Sequence, residues 1–317
     1  MSTASSNASI HALLKHCPPE ERAQILHRLT AQPPTSAALR KAVESLPPEE
    51  QATALRLVTT RILTDDLLSY VTEAWRLIEP VTPLVTGRYL ECLCEYLTAV
   101  SYGQIRRLII NIMPRIGKSS IISTLWPSWE WANDRATSRW IFCSHSNDLA
   151  VRDSVRRRNV MTSSWYQYYW PEVQFASDMN LKSEYVSTHA GSMFSTFVGG
   201  ALGRGGSRLV IDDPHDAEGM FSSAERERTI AFVRSSLFSR LDHPATDAIV
   251  ICHSRMHEED LSGVLLHPEL EPSSSIERLD LSDVPKSAPV SNYSGYTSAL
   301  RVPGAPLLPP CFREPWE

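Results

Sequence analysis

The sequence predicts an α/β fold, with a central, mostly parallel sheet flanked by helices and a helical accessory region in front of it. Three observations carry that prediction. Short apolar runs at 108–112, 139–143, 209–211 and 248–252 read as buried strands. Segments with helical periodicity lie between them, an alternation that builds parallel sheets. The first 84 residues carry proline-led helix starts instead. The expected boundaries are an accessory region at 1–84, a core at 85–282 and a Pro-rich linker at 283–317.

Size and composition narrow the possibilities. The 317 residues, 42% of them hydrophobic, can bury a full core. No apolar run approaches the 18 or more residues of a membrane span, and the polar start (Met1 to Ile10) is no secretory signal. None of the six cysteines forms a Cys-x-x-Cys pair, and Cys143 and Cys252 lie inside strand-like runs, so a reduced cytoplasmic protein with buried thiols is expected. The formal net charge is −5. Nucleic acid, if bound, must therefore meet a local patch and not a basic surface at large.

In the accessory region, Pro18-Pro19-Glu20-Glu21 and Pro47-Pro48-Glu49-Glu50 are helix starts, because a first-turn proline has no N–H to leave unpaired and the acids complement the dipole. Nothing beyond the helix start recurs, so the two do not make a repeat. Leu90, Leu93, Leu97 and Val100 then form a core-facing helix stripe. Tyr89 beside it fits packing, with stacking on a base as the alternative.

The stretch at 106–120 organises the chain. Its apolar run stops at Pro114-Arg115-Ile116-Gly117-Lys118-Ser119, and a second apolar segment from Ile121 to Trp126 follows. Strand, turn and helix in that order suit an anion. Gly117 admits close backbone approach, and the helix start aims free N–H groups at the ligand. Lys118 would reach β/γ-phosphates and Ser119 would hold Mg²⁺. The first glycine of the usual pattern is replaced by Ile112.

A second strand reaches Ser144-His145-Ser146, and the helix after it crowds Arg152, Arg156, Arg157 and Arg158 into two turns. These arginines fit a solvated face, a DNA channel or a subunit contact. The aromatic run from Trp165 to Trp170 fits sheet packing, with base stacking as the alternative. Segments 184–187 and 192–198 read as a hairpin.

The strand at 209–211 ends in Asp212 and Asp213, the pair metal-assisted phosphoryl transfer needs: Asp212 for Mg²⁺, Asp213 to orient or deprotonate water. Asp213 is shorter than the glutamate common there. Neither this pair nor the Gly-Lys-Ser turn is specific alone, but together they are. The glycine-rich stretch at 199–206 presents Arg204, either as a solvent-facing side chain or as a finger for a neighbour's γ-phosphate. The strand at 248–252 leads to Ser254 and Arg255, placed to report a γ-phosphate if the strand ends gather on one edge. His253 and His257 lack the helical His-Glu-x-x-His arrangement of a zinc site. Ser222 to Glu225 is a capping box opening a helix to about Arg240, and 275–281 is a further strand.

Several of these stretches together resemble the ATPase half of the large terminase subunits of tailed bacteriophages, motors that package DNA into procapsids. The matching residues are the loop, Ser144-His145-Ser146 with Ala150 to Ser154, Gly203-Arg204-Gly205-Gly206, Ile211-Asp212-Asp213-Pro214, and Ser254-Arg255-Met256-His257-Glu258-Glu259-Asp260-Leu261. The resemblance spans roughly 80–310 and implies a P-loop NTPase fold of the additional-strand type. It implies that Pro114, Arg115, Ile116, Gly117, Lys118, Ser119, Ser120 and Ser254 contact ATP, that Ser119 and Asp212 hold Mg²⁺, and that Asp213, Lys118 and a trans-acting Arg204 are catalytic. Family loops often read Pro-Pro-Arg-His-Gly-Lys-Ser, so Ile112 becomes ordinary. It further implies double-stranded DNA, a portal protein and a small terminase subunit as partners, a homo-oligomeric ring (a pentamer by resemblance) and a place in the host cytoplasm. The usual ribonuclease-H-like nuclease is not expected, since the remainder after the last motif is shorter than the roughly 100 residues such a domain needs. Other readings are a helicase-like DNA-dependent translocase and a nucleotide-binding assembly module without turnover.

Overall fold

The computed structural model describes residues 47–134, 136–200, 203–266 and 276–281. The helix start at Pro18 lies outside them. The chain divides into two compact units. Of the described residues, one unit holds α1 (Pro48–Asp65), which begins with proline in its first turn, as expected for that helix start. The other begins at Leu67 and carries the sheet.

In this second unit, α2 (Leu67–Ile78) and α3 (Arg88–Ser101) precede β1 (Arg107–Ile112). A π-helical segment (Ser120–Leu125) runs straight into α4 (Trp126–Asp134), and β2 (Arg139–Ser144) follows. Next come α5 (Asn147–Thr162), α6 (Ser164–Tyr169), β3 (Phe175–Asn180), β4 (Glu184–Ser187) and β5 (Ser192–Phe197). After β6 (Arg208–Asp212), α7 (Ser223–Phe232) continues through a π turn and a 3₁₀ turn to Arg240, the predicted end. The Ser222 hydroxyl caps it by accepting from the Glu225 N–H. Last are β7 (Ala248–His253), α8 (Leu261–Leu265) and β8 (Ile276–Leu281).

The eight strands form one sheet in the order β3-β4-β5-β2-β6-β7-β1-β8. From β5 to β8 every pairing is parallel, and β4 pairs antiparallel with both β3 and β5. The predicted mostly parallel sheet and the β4–β5 hairpin are therefore present. Strand β7 lies between β1 and β6. The edge strand β3 has no counterpart in the sequence reading.

Burial on both faces explains the continuous apolar runs. On one face Ile109, Ile141, Cys143, Leu209, Ile211, Ile249 and Ile251 pack under Val233, Leu237, Leu241 and Leu261. Each buried aliphatic side chain there contributes about 1.5–3 kcal/mol. Trp140 and Phe142, two residues apart on β2 and so on one face, stack on one another, and Trp126 meets Trp140 edge-on at 4.9 Å.

Tyr89 is buried, and its hydroxyl donates to the Val85 carbonyl at 2.6 Å. The aromatic run packs against α2 and not, as expected, against the sheet: Trp165 and Trp170 each lie within 6 Å of Tyr70, while Tyr168 is exposed. The arginines of α5 differ in their surroundings: Arg152 is about half exposed and pairs with Asp153. Arg156 pairs with Glu79, Arg158 donates to the Asn180 and Leu181 carbonyls, and Arg157 is fully buried. Among the described residues, no helix is long and apolar enough to cross a membrane.

Candidate active site

Parallel strands bring their carboxyl ends to one edge, so the segments after β1, β2, β6 and β7 gather there. After β1 the chain turns through exposed Pro114 and Arg115, and Ile116 tucks inward. Arg115 has φ +66° and Gly117 φ +84°. At Gly117 a Cβ would lie 2.6 Å from the Trp75 ring, so both backbone and space demand glycine. Trp75 is fixed in turn by its indole N–H, which donates to the Thr82 carbonyl at 2.8 Å.

Lys118 follows and points inward, 6% exposed. Its ammonium donates to Asp213 Oδ1 and, at 2.7 Å, to Ser254 Oγ. The ends of β1, β6 and β7 are thus tied by one side chain. Burial opposes the lysine's charge, but the Cys252, Asp213 and Asp212 side chains outweigh it and hold its pKa above the ordinary value.

Asp213 sits just past β6 with φ +44°, in the left-handed region that aspartate tolerates better than most residues. Backbone pairing holds it there: its N–H donates to the Cys252 carbonyl at 2.9 Å, and its own carbonyl accepts from the His145 N–H at 3.1 Å. Oδ1 also accepts from the Ser254 N–H at 3.0 Å. Burial raises its pKa, but His253, Lys118 and the Ser254 N–H together pull it well below the carboxylate range.

Asp212 is the more buried acid, 8% exposed. Oδ2 accepts from the Ser123 hydroxyl at 2.9 Å, while Oδ1 is buried with no hydrogen-bond partner. Burial first, and the neighbouring Asp213 charge second, push its carboxyl up to about 6, against the pull of Lys118 and the nearby Ser119. A buried anionic oxygen without a donor, beside a serine hydroxyl, suits a hard cation.

Lys118, Asp213, Ser254, Asp212 and Ser119 therefore meet. Arg204 does not join them: its guanidinium makes a two-point ion pair with Glu184 on β4, five strands from β1. Ser120 turns into the interior at the start of the π-helical segment.

The roles of four residues escaped the sequence reading. Ser123, in the π-helical segment four residues after Ser119, donates to Asp212. Arg157 donates to Tyr185 Oη at 2.7 Å, the Ser123 carbonyl at 2.5 Å and Ser195 Oγ at 3.1 Å, with its guanidinium 3.5 Å from the Phe142 ring centre. It anchors the segment that carries Ser123. His253 and Asp260 form the floor behind Asp213. A wide cleft of about 520 Å³ lies at the opposite strand edge, where buried Glu130 pairs with Arg208, and it contains none of the predicted site residues.

No family model matches this chain, and no curated protein sequence matches it. Among solved structures, it is similar to the large terminase of bacteriophage HK97, with a TM-score of 0.48 and 12% identity. The similarity covers 72% of this chain and 45% of the other, so the chain spans less than half the length of that protein.

Proposed function

We propose that this chain hydrolyses ATP as the motor domain of a DNA-packaging terminase. One observation carries the hydrolytic reading: Lys118 joins Asp213 and Ser254 across the ends of β1, β6 and β7, beside Asp212. The packaging role is supported by the order of sequence stretches that resemble large terminases.

The chemistry follows from the residues. The turn at 114–120 offers backbone N–H groups and Lys118 to the phosphates, with Arg115 exposed at its tip. Lys118 must leave Asp213 to reach them, and that exchange frees the carboxylate to take a proton from water. Ser119 and Asp212 would hold Mg²⁺, which supplies charge neutralisation on the phosphates. Ser254, bonded to Lys118 through Oγ and to Asp213 through N–H, would feel the exchange and couple it to movement on double-stranded DNA. Arg204 would have to release Glu184 before serving a neighbour in a ring.

Phosphate release by the full chain, measured alone, with double-stranded DNA, and with DNA plus procapsids, tests this reading. Turnover raised by DNA and procapsid together supports packaging. Stimulation by DNA alone indicates a helicase-like translocase, and ATP binding without turnover a nucleotide-binding assembly module.

A further inference from the structure

The polar floor behind Asp213 contains a histidine that the mechanism above does not use. His253 ends β7 and is fully buried. Its ring stands between two carboxylates, with Nε2 3.0 Å from Asp260 Oδ2 and Nδ1 3.9 Å from Asp213 Oδ1. Asp260 is itself immobile. It is buried, its Oδ1 caps α8 by accepting from the Gly263 N–H at 2.8 Å, and its Oδ2 accepts from Arg255 Nε at 2.7 Å.

Asp213 Oδ1 holds two donors here, the Lys118 ammonium and the Ser254 N–H. If Lys118 turns to a phosphate, that oxygen keeps one, and a half-buried carboxylate short of donors is costly. Few groups can replace the ammonium. The His145 ring is engaged with the Asp213 carbonyl at 2.8 Å. The His215 ring lies 5.6 Å from His253, and its Nε2 accepts from the Leu261 N–H at 3.1 Å. Arg255 is held by Asp260 and the His257 and Glu258 carbonyls. His253 Nδ1 needs a shift of only about 1 Å to reach hydrogen-bond distance.

We propose that His253, clamped by Asp260, is a positioning residue for Asp213: it holds the carboxylate toward the attacking water once Lys118 has moved to the phosphates. This rests on the reading of Lys118 as a phosphate ligand. The charge of the ring agrees with the role, because burial disfavours the imidazolium but Asp213 and Asp260 outweigh it and hold its pKa above the ordinary value.

The test compares His253→Gln and His253→Asn in the full chain, reading affinity for a non-hydrolysable Mg·ATP analogue and single-turnover hydrolysis separately. Affinity within twofold of wild type, with hydrolysis slowed at least 30-fold, is expected. Added to Asp213→Asn, His253→Gln should slow the residual rate less than twofold. Hydrolysis within threefold of wild type, affinity and rate falling together, or losses that multiply would overturn the proposal. Should neither variant fold, the imidazole ¹⁵N resonances of the wild-type protein decide: Nδ1 of His253 should shift as a hydrogen-bonded N–H when the analogue binds, and an unmoved resonance overturns the role. Lys118→Ala separates the two levels. If it leaves turnover intact, the reading of the site fails; if it abolishes turnover while His253→Gln is neutral, only the role of His253 fails.

Discussion

Removing the Lys118–Asp213 contact separates what the pair does for folding from what it does for chemistry. The lysine side chain is 7% exposed and the aspartate 29%, so the pair lies between a buried and a surface ion pair. Breaking a buried pair costs about 3–5 kcal/mol and a surface pair about 0.2–1 kcal/mol. Asp213 also keeps the Ser254 N–H after Lys118 is gone. We therefore expect Lys118→Met and Asp213→Asn each to lose about 1–3 kcal/mol without nucleotide. The double variant should recover much of that, giving a coupling energy of about 1–3 kcal/mol. The pH window follows from the shifts. The depressed Asp213 pKa gives stability that is lost as pH falls toward and below its ordinary value, and the raised Lys118 pKa gives stability that is lost as pH rises beyond the lysine range. The coupling should thus weaken at both extremes, below the ordinary aspartate range and above the lysine range. Urea unfolding of the four proteins measures it. Single losses that add within about 0.3–0.5 kcal/mol would show that the pair is not energetically coupled and refute this reasoning.

Other consequences concern the loop, the helix behind it and the far strand edge. Gly117→Ala should weaken binding of an ATP analogue at least tenfold, because a Cβ would collide with Trp75 in a left-handed backbone; unchanged titration curves would contradict this. Arg157→Lys should cost about 1–3 kcal/mol in thermal or urea unfolding, since an ammonium cannot serve three acceptors in the plane of the guanidinium and stack on Phe142; an unchanged midpoint would count against it. Burial raises the Glu130 carboxyl to about 7, against the pull of Arg208 and Ser101. The folded state therefore holds a proton that the unfolded chain releases, and stability present below the ordinary glutamate pKa is lost as pH rises to neutrality. Glu130→Gln should remove at most about 3 kcal/mol of that slope, and an identical slope in the variant would show that Glu130 is not its source.

The four central strands were legible because their burial on both faces demands unbroken apolar runs, as in Ile249-Val250-Ile251. Strand β3 was not, since its outer residues Asp178, Met179 and Asn180 are exposed and carry no alternating pattern. The short segments bearing Lys118, Asp212, Asp213 and Ser254 stood out because each follows a strand. That they meet depends on β7 inserting between β1 and β6, an order no single strand encodes. Arg157 misled for a physical reason: a charged residue among three other arginines reads as surface, yet it donates hydrogen bonds to Tyr185, Ser123 and Ser195 in the interior. Ser123, four residues after Ser119, lies inside an apolar run that reads as core, so its contact with Asp212 was not legible.

The central claim is that Lys118 exchanges Asp213 for a nucleotide phosphate at the edge where β1, β6 and β7 end. A structure of the full chain with Mg²⁺ and a non-hydrolysable ATP analogue tests it most directly. The account predicts Lys118 Nζ within about 3 Å of a β- or γ-phosphate oxygen and separated from Asp213 Oδ1. An analogue bound elsewhere, or bound at this edge while Lys118 still holds Asp213, would contradict it.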